Sequence, residues 1–549
     1  MKRTVVPGVA GAAGLVGASL IALLPVGTAG ASEAAPVARA AGKLDWVSCE
    51  QLGMGGRATE CGYLTVPMDW SNPSGKKIQL AVSRTKSRVP AAKYQGVMLV
   101  NPGGPGGSGL AYSGLKDMLP NSSGEAYDWI GFDPRGVGDS QPALSCISNY
   151  AEGKRPPYVP AKAGKATTAS EKAWLKRSKR YAQACGKKHG DLLNHMRTVD
   201  TVRDMDALRE ALGADRINYL GFSYGTYLGQ VYATMYPDRV RRMIFDGNVN
   251  PKGIWYSSQL NQDRAFEKVA DRFFAWVARN NSTYRLGSSG DAVRTTYLNV
   301  IKELRDVRHD GVGANEFTDA FVRAMYAESL WADAAHALAS WVRQRDIAPA
   351  KAAFRASLDP DDNLFAVYNA VQCTDTPWPT KYATWRKDAF QVAKQAPILT
   401  WSNVWFNTPC LYWPAKPGQA VKVDGSKAPP ILLLNATLDG ATPYAGALEV
   451  RRLFPKAVLI AEKDATTHSG AVLGGNPCID KRIADYLLTG KLPARSAADT
   501  ADVVCPRGAG PEPGLLPFDA TSSLPAPDPQ PRDQSLFDKI IGLLPSRAS

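Results

Sequence analysis

One serine in this chain carries the marks of an activated nucleophile. Gly221-Phe222-Ser223-Tyr224-Gly225 fits G-x-S-x-G, and it lies between a strand-like run, Ile217–Phe222, and a helical one that Pro237 stops. That context matters more than the pentapeptide. A tight strand-to-helix turn strains the serine backbone and exposes its Oγ, and the flanking glycines leave room for the turn. The bland alternative is an ordinary glycine-rich turn. A serine hydroxyl needs a base beside it to attack a carbonyl. Of the five histidines only His468 lies beyond residue 336, in the loop Thr466-Thr467-His468-Ser469-Gly470 after the strand pattern Ala457–Ile460. A third group must orient the imidazole. Asp439 follows the run Ile431–Leu434, one strand before the histidine, whereas the rival Asp246 ends an earlier strand and suits a capping role. Ser223, Asp439 and His468 therefore form the expected catalytic set, in the order Ser–Asp–His.

Acyl transfer also needs donors for the developing oxyanion. The backbone N–H of Tyr224 is one. The second is expected from Gly103-Gly104-Pro105-Gly106-Gly107, after the strand Gly96–Val100, with Gly104 favoured and Gly103 the close alternative. A nucleotide-binding reading of this loop fails, because it opens no helix with G-x-G-x-x-G spacing and no P-loop lysine follows. Neither HExxH nor CxxC occurs, so no metal and no cofactor is expected.

These residues need a scaffold. Short apolar runs (Val97–Val100, Asp128–Phe132, Ile217–Phe222, Met243–Phe245) alternate with amphipathic helices. In one of these Val199, Val202, Met205, Leu208 and Leu212 recur every three or four positions. The alternation predicts an α/β-hydrolase fold, a mostly parallel sheet with helices on both faces. From residue 250 to 428 the pattern turns helical and holds nine of the 13 tryptophans, which reads as a cap whose tryptophans form its core. Strand signals resume with Ile431–Leu434. The expected organisation is a signal peptide over 1–31, a first core part over 32–249, a helical cap over 250–428, a second core part over 429–505, and a Pro-rich disordered tail over 506–549 with an apolar tip at Leu536–Leu544.

The signal peptide is inferred from Lys2-Arg3, an apolar stretch to Val26 and the small-x-small site Ala29-Gly30-Ala31. Export implies an oxidising compartment, where eight cysteines can form four disulfides. Sequence alone leaves the connectivity open, and chain proximity favours Cys49–Cys61, Cys146–Cys185, Cys373–Cys410 and Cys478–Cys505. No other run is long and apolar enough to span a bilayer. The formal charge of +14 suits an anionic cell surface as well as it would suit nucleic acid, and the motifs favour no nucleic-acid partner. A monomer is expected.

Three motifs taken together carry a resemblance: Asn101-Pro102-Gly103-Gly104-Pro105-Gly106-Gly107-Ser108-Gly109, Gly131-Phe132-Asp133-Pro134-Arg135-Gly136-Val137-Gly138, and Gly221-Phe222-Ser223-Tyr224-Gly225-Thr226-Tyr227. With Cys373-Thr374-Asp375, Asn407-Thr408-Pro409-Cys410 and Asn476-Pro477-Cys478, the stretch from about Leu44 to Cys505 resembles the secreted tripeptidyl aminopeptidases of actinomycetes, within the prolyl-aminopeptidase-like α/β-hydrolases. Pro102 stands where prolyl aminopeptidases carry His, which fits the tripeptidyl branch. The resemblance implies release of tripeptides from free N-termini of peptides or proteins. An aminopeptidase must bind an ammonium group, and a cap carboxylate is the natural partner; Glu328 and Asp375 are the candidates. The competing functions are a secreted esterase or lipase on the same machinery and a non-catalytic envelope-binding protein. Dehalogenases and epoxide hydrolases are disfavoured, since they need Asp where Ser223 stands.

Overall fold

The computed structural model describes residues 42–54, Ala58, 60–158 and 167–514. The signal peptide expected over 1–31, and the part of the expected tail from residue 515 onward with its apolar tip, lie outside the described residues. The strands are β1 (Leu44–Val47), β2 (Glu60–Pro67), β3 (Lys77–Thr85), β4 (Val97–Asn101), β5 (Asp128–Phe132), β6 (Ile217–Phe222), β7 (Val240–Asp246), β8 (Leu432–Ala436), β9 (Val458–Glu462) and β10 (Val503–Cys505). They form one sheet in the order β1-β2-β3-β5-β4-β6-β7-β8-β9-β10. From β5 to β10 every pair is parallel; β1, β2 and β3 add an antiparallel edge, with β3 running against β5. This is the mostly parallel, helix-covered sheet that the strand–helix alternation predicts. The antiparallel edge and β10 carry no comparable signal in the sequence.

The central strands are apolar on both faces because both faces are covered. Alternate residues point to opposite sides. Leu99, Tyr219, Phe245, Leu433 and Leu459 pack toward α2 (Thr198–Ala211), α3 (Tyr224–Met235) and α13 (Tyr444–Leu453). Met98, Val100, Leu220, Ile244, Leu434 and Ile460 pack toward Leu115 and the Ile479, Ile483 and Leu487 stripe of α14 (Pro477–Thr489). Helix ends follow local rules. Thr168 and Glu171 form a reciprocal capping box on α1 (Ala169–Leu193), and α14 starts with an Asn476 cap and Pro477 and ends at Gly490 with φ 78°.

Between β7 and β8 the chain leaves the sheet and builds a helical insertion: α4 (Tyr256–Arg279), α5 (Asn281–Tyr284), α6 (Gly290–Asp306), α7 (Ala314–Tyr326), α8 (Trp331–Gln344), α9 (Ala348–Arg355), α10 (Asn363–Asp375), α11 (Tyr382–Ala393) and α12 (Thr400–Asn407). Trp276, Trp331 and Trp341 are buried with Phe273, Phe274, Phe317 and Phe321 in a core of its own. Trp378, Trp385, Trp401 and Trp405 join the large core that also backs the sheet.

The cysteines pair as Cys49–Cys61, Cys146–Cys185, Cys373–Cys410 and Cys478–Cys505. The last ties α14 to β10, and Cys373–Cys410 fixes the end of α10 to the turn after α12. Closing loops of this length restricts the unfolded chain by about 3–4 kcal/mol each. Residues 506–514, expected as the start of a disordered tail, are held against the insertion. Pro511 O accepts from Trp276 Nε1 at 3.2 Å, Gly514 N donates to Tyr284 OH at 3.1 Å, and Arg507 pairs with Glu328. Among the described residues no helix is long and apolar enough to cross a membrane.

Candidate active site

The parallel strands deliver the candidate residues to their carboxyl ends, where open α/β sheets place their sites. Ser223 sits between β6 and α3 at φ 54° and ψ −123°, a region L-residues rarely adopt. The turn is closed by Ser223 N donating to Asp246 O at 3.0 Å and Thr226 N donating to Ser223 O at 2.8 Å. Its glycines are sterically required. A Cβ on Gly221 would stand 2.5 Å from Gly225 O, and one on Gly225 would stand 2.5 Å from Asn101 O. The Gly-rich loop after β4 runs against this elbow: a Cβ on Gly103 would lie 2.5 Å from Phe222 O and 3.0 Å from Tyr224 N. Asn101 holds the loop by accepting from Gly103 N at 3.0 Å. Downstream, Asp133 accepts from Gly109 N at 2.9 Å and Ser108 Oγ at 2.7 Å, and burial pushes its carboxyl up to about 6. Arg135 is locked in a buried bidentate pair with Asp204 of α2, both contacts at 2.7 Å. The Asp-Pro-Arg-Gly motif thus braces the scaffold around the glycine loop.

Asp439 follows β8 and His468 follows β9. His468 Nδ1 lies 2.9 Å from Asp439 Oδ2 and 3.0 Å from Oδ1. Asp439 Oδ1 also accepts from Ala441 N (2.9 Å) and Thr442 N (2.8 Å), while Oδ2 accepts from Thr442 Oγ1 at 2.8 Å. The same hydroxyl is 3.2 Å from His468 Nδ1. The carboxylate is therefore held by three donors besides the imidazole. His468 itself is fixed by its N–H to Tyr326 O at 2.8 Å, with the Tyr326 ring edge-on to the imidazole. Its Nε2 lies 3.3 Å from Ser469 Oγ. Ser223 Oγ makes no hydrogen bond to His468 in this arrangement; the two side chains share one cavity wall.

Asp246, the rival acid, does not reach the imidazole as a hydrogen-bond partner. It is buried behind the elbow and accepts from Val472 N at 2.9 Å, which anchors the loop carrying His468. Burial raises its carboxyl to about 7, against the opposing pull of the Val472 N–H and of His468.

The cavity holds about 380 Å³. Gly104, Ser223, Tyr224 and His468 contribute to its wall from the sheet side, and Trp255, Gln259, Gln262, Tyr326, Tyr368 and Phe406 from the insertion. The two carboxylates expected to bind an ammonium group are not brought to this wall. Glu328 is occupied elsewhere: Arg507 pairs with it, and it accepts from Thr466 N at 3.0 Å and Thr466 Oγ1 at 2.7 Å. Asp375 lies beneath the cavity floor. It accepts from Thr198 N (2.6 Å), Thr198 Oγ1 (2.7 Å) and Trp255 Nε1 (3.0 Å), and burial raises it to about 6. Through Thr198, which bonds Tyr224 OH at 2.8 Å, and through Trp255, it positions two residues of the wall. Sequence reasoning missed Thr442 and the insertion residues of the wall. Thr442 had a readable signal, since a threonine three residues after a loop Asp is placed to bond back to it.

The chain belongs to the alpha/beta hydrolase fold family, whose sequence model matches residues 96–466. Within it, the chain is 40% identical over 496 residues to the tripeptidyl aminopeptidase of Streptomyces lividans, covering 88% of this chain and 90% of that one. It is 30% identical to the serine protease Hip1 of Mycobacterium tuberculosis, covering 83% and 90% of the two chains. It is also 30% identical to a carboxylesterase B of the same organism, covering 85% and 92%. These kinships place the protein among the serine hydrolases, in the branch of the actinomycete tripeptidyl aminopeptidases.

Proposed function

We propose that this protein is an exported serine exopeptidase that releases tripeptides from free N-termini of peptides. Ser223 Oγ attacks the carbonyl carbon of the third residue, and His468 Nε2 takes the hydroxyl proton. Asp439 holds Nδ1–H, so that Nε2 is the basic nitrogen, and stabilises the imidazolium that forms. The backbone N–H groups of Gly104 and Tyr224 receive the oxyanion. Collapse breaks the C–N bond, and His468 returns its proton to the leaving amine. Water, deprotonated by His468, then cleaves the acyl-enzyme ester and frees the tripeptide.

The observation that carries this reading is the strained Ser223 facing a cavity shared with an Asp439-bound His468. The tripeptide step is supported by the 40% identity to a protein named for that activity. Export is supported by four disulfides, which suit an oxidising compartment.

The test is turnover of one chromogenic tripeptide with a free and with an acetylated N-terminus, by the wild type and by Ser223→Ala. The proposal requires preference for the free form and loss of turnover in the variant. Equal turnover of both forms would remove the exopeptidase claim. An esterase is the second reading, favoured by the carboxylesterase relative; fast hydrolysis of p-nitrophenyl esters with no peptide cleavage would select it.

A further inference from the structure

The segment Tyr326–Glu328, at the end of α7, runs alongside Thr466–His468 in the loop after β9. His468 N donates to Tyr326 O at 2.8 Å, and Glu328 N donates to Thr467 Oγ1 at 3.3 Å. Glu328 Oε1 accepts from Thr466 N at 3.0 Å and from Thr466 Oγ1 at 2.7 Å. Farther from the imidazole the loop is held by the sheet side. Upstream, Leu438 N donates to Ala465 O at 3.0 Å. Downstream, Ser469 Oγ donates to Asp246 O at 3.0 Å and Val472 N to the Asp246 carboxylate at 2.9 Å. Between those anchors, the residues adjoining the imidazole are bonded to the insertion.

Glu328 is the charged member of this junction, and it is buried, at 8% exposure. A buried carboxylate must be met by donors. Beyond the two from Thr466, its Oε2 pairs with Arg507 of the C-terminal segment. That segment is fixed on the core side. Cys505 is tied to Cys478, and Lys463 N donates to Cys505 O at 2.9 Å. Asn476 Nδ2 donates to Pro506 O at 2.8 Å, and Gly508 N donates to Glu462 Oε1 at 2.9 Å. The chain of contacts Arg507–Glu328–Thr466 thus ends beside the base. Glu328, Thr466 and Arg507 are absent from the wall of the Ser223 cavity. Proton transfer needs Nε2 of His468 within hydrogen-bond reach of Ser223 Oγ. A small displacement of this loop therefore acts on the rate rather than on binding.

We propose that Glu328, anchored by Arg507, is a positioning residue for the general base: it holds Thr466 and so sets where His468 meets Ser223. The assignment rests on the triad reading above. Through it, the insertion and the segment after Cys505 act on the rate without touching substrate.

The test measures kcat and KM on one chromogenic tripeptide for the wild type, Glu328→Ala, Glu328→Gln, Arg507→Met and the double variant Glu328→Ala/Arg507→Met, with His468→Ala as reference. Each kcat is expressed per folded molecule, from a thermal melt of the same sample. Glu328→Ala is expected to lower kcat about 10–100-fold, the scale of a misplacement of up to about 1 Å at the reacting atoms, and to leave KM unchanged. Arg507→Met breaks the ion pair alone and should cause a smaller fall, with no further effect in the Glu328→Ala background. Glu328→Gln keeps an oxygen for both Thr466 donors, so its kcat should recover to the level of Arg507→Met. A dead His468→Ala beside a Glu328→Ala with wild-type kcat would overturn the Glu328 assignment alone. So would a change confined to KM, a Glu328→Gln as slow as Glu328→Ala, or a lower melting temperature with kcat per folded molecule unchanged. A His468→Ala that retains turnover would overturn the triad reading and the assignment with it.

Discussion

Replacing Asp439 by Asn separates the charge of the acid from its shape. In the native arrangement Oδ1 faces the N–H groups of Ala441 and Thr442, and Oδ2 faces the Thr442 hydroxyl. An amide NH2 cannot sit at the Oδ1 position, where two backbone donors point. It must take the Oδ2 position, where the Thr442 hydroxyl can rotate and accept. There it lies about where Oδ2 now does, 2.9 Å from His468 Nδ1, and donates to that nitrogen. The imidazole is then forced to carry its proton on Nε2, the atom that must accept from Ser223. The variant keeps every backbone hydrogen bond of the loop but presents the wrong tautomer. The expected fall in kcat is about 10³–10⁴-fold at neutral pH, the scale known for neutralising a triad acid. The melting temperature should change by no more than a few degrees. Steady-state hydrolysis of a chromogenic tripeptide, with a thermal melt on the same sample, reads both. A loss of less than tenfold with an intact fold would refute the assignment of Asp439 as the orienting acid.

Thr442→Val removes one donor to Asp439 Oδ2 and the contact to Nδ1 at 3.2 Å while preserving volume, so kcat is expected to fall roughly tenfold at about 1–1.5 kcal/mol; the effect should vanish in the Asp439→Asn background. Gly225→Ala places a methyl 2.5 Å from Asn101 O, and a backbone shift at the elbow should lower stability by about 1–3 kcal/mol and reduce activity, read by denaturant titration and assay. Asp246 has its folded carboxyl raised to about 7, so the folded state holds more protons than the unfolded one between about pH 4 and pH 7, and the group subtracts stability as pH rises through that window. Asp246→Asn lacks that titration. Its melting temperature relative to wild type should climb from pH 4 to pH 8, and a constant difference would contradict the buried-acid account.

Much of the scaffold is legible in the sequence because both signals are local. Doubly covered strands read as apolar runs and the covering helix α2 as a stripe, so β4 to β9 and α2 follow from periodicity, and Pro237 marks where α3 stops. Ser223, Asp439 and His468 each follow a readable strand end, which is why chain order alone brings them forward as candidates. The cavity wall is different. Gln259 and Gln262 sit on α4 in a pattern that any amphipathic helix shows, and only the fold brings them into the wall of the cavity that Ser223 lines. Glu328 and Asp375 look like free cap carboxylates in the sequence. Their partners, Arg507 and Thr198, come from 179 and 177 residues away, which no local pattern reveals. The Pro-rich composition of residues 506–514 suggests disorder, yet Pro511 O accepts from Trp276 and Gly514 N donates to Tyr284, both in the insertion.

The most direct measurement is mass spectrometry of the acid-quenched enzyme after brief mixing with an excess of a longer peptide bearing a free N-terminus. The account predicts a transient adduct equal to the first three residues less one water, located on the fragment containing Ser223 and absent from Ser223→Ala. An adduct on another residue, or one of a different number of residues, would contradict it.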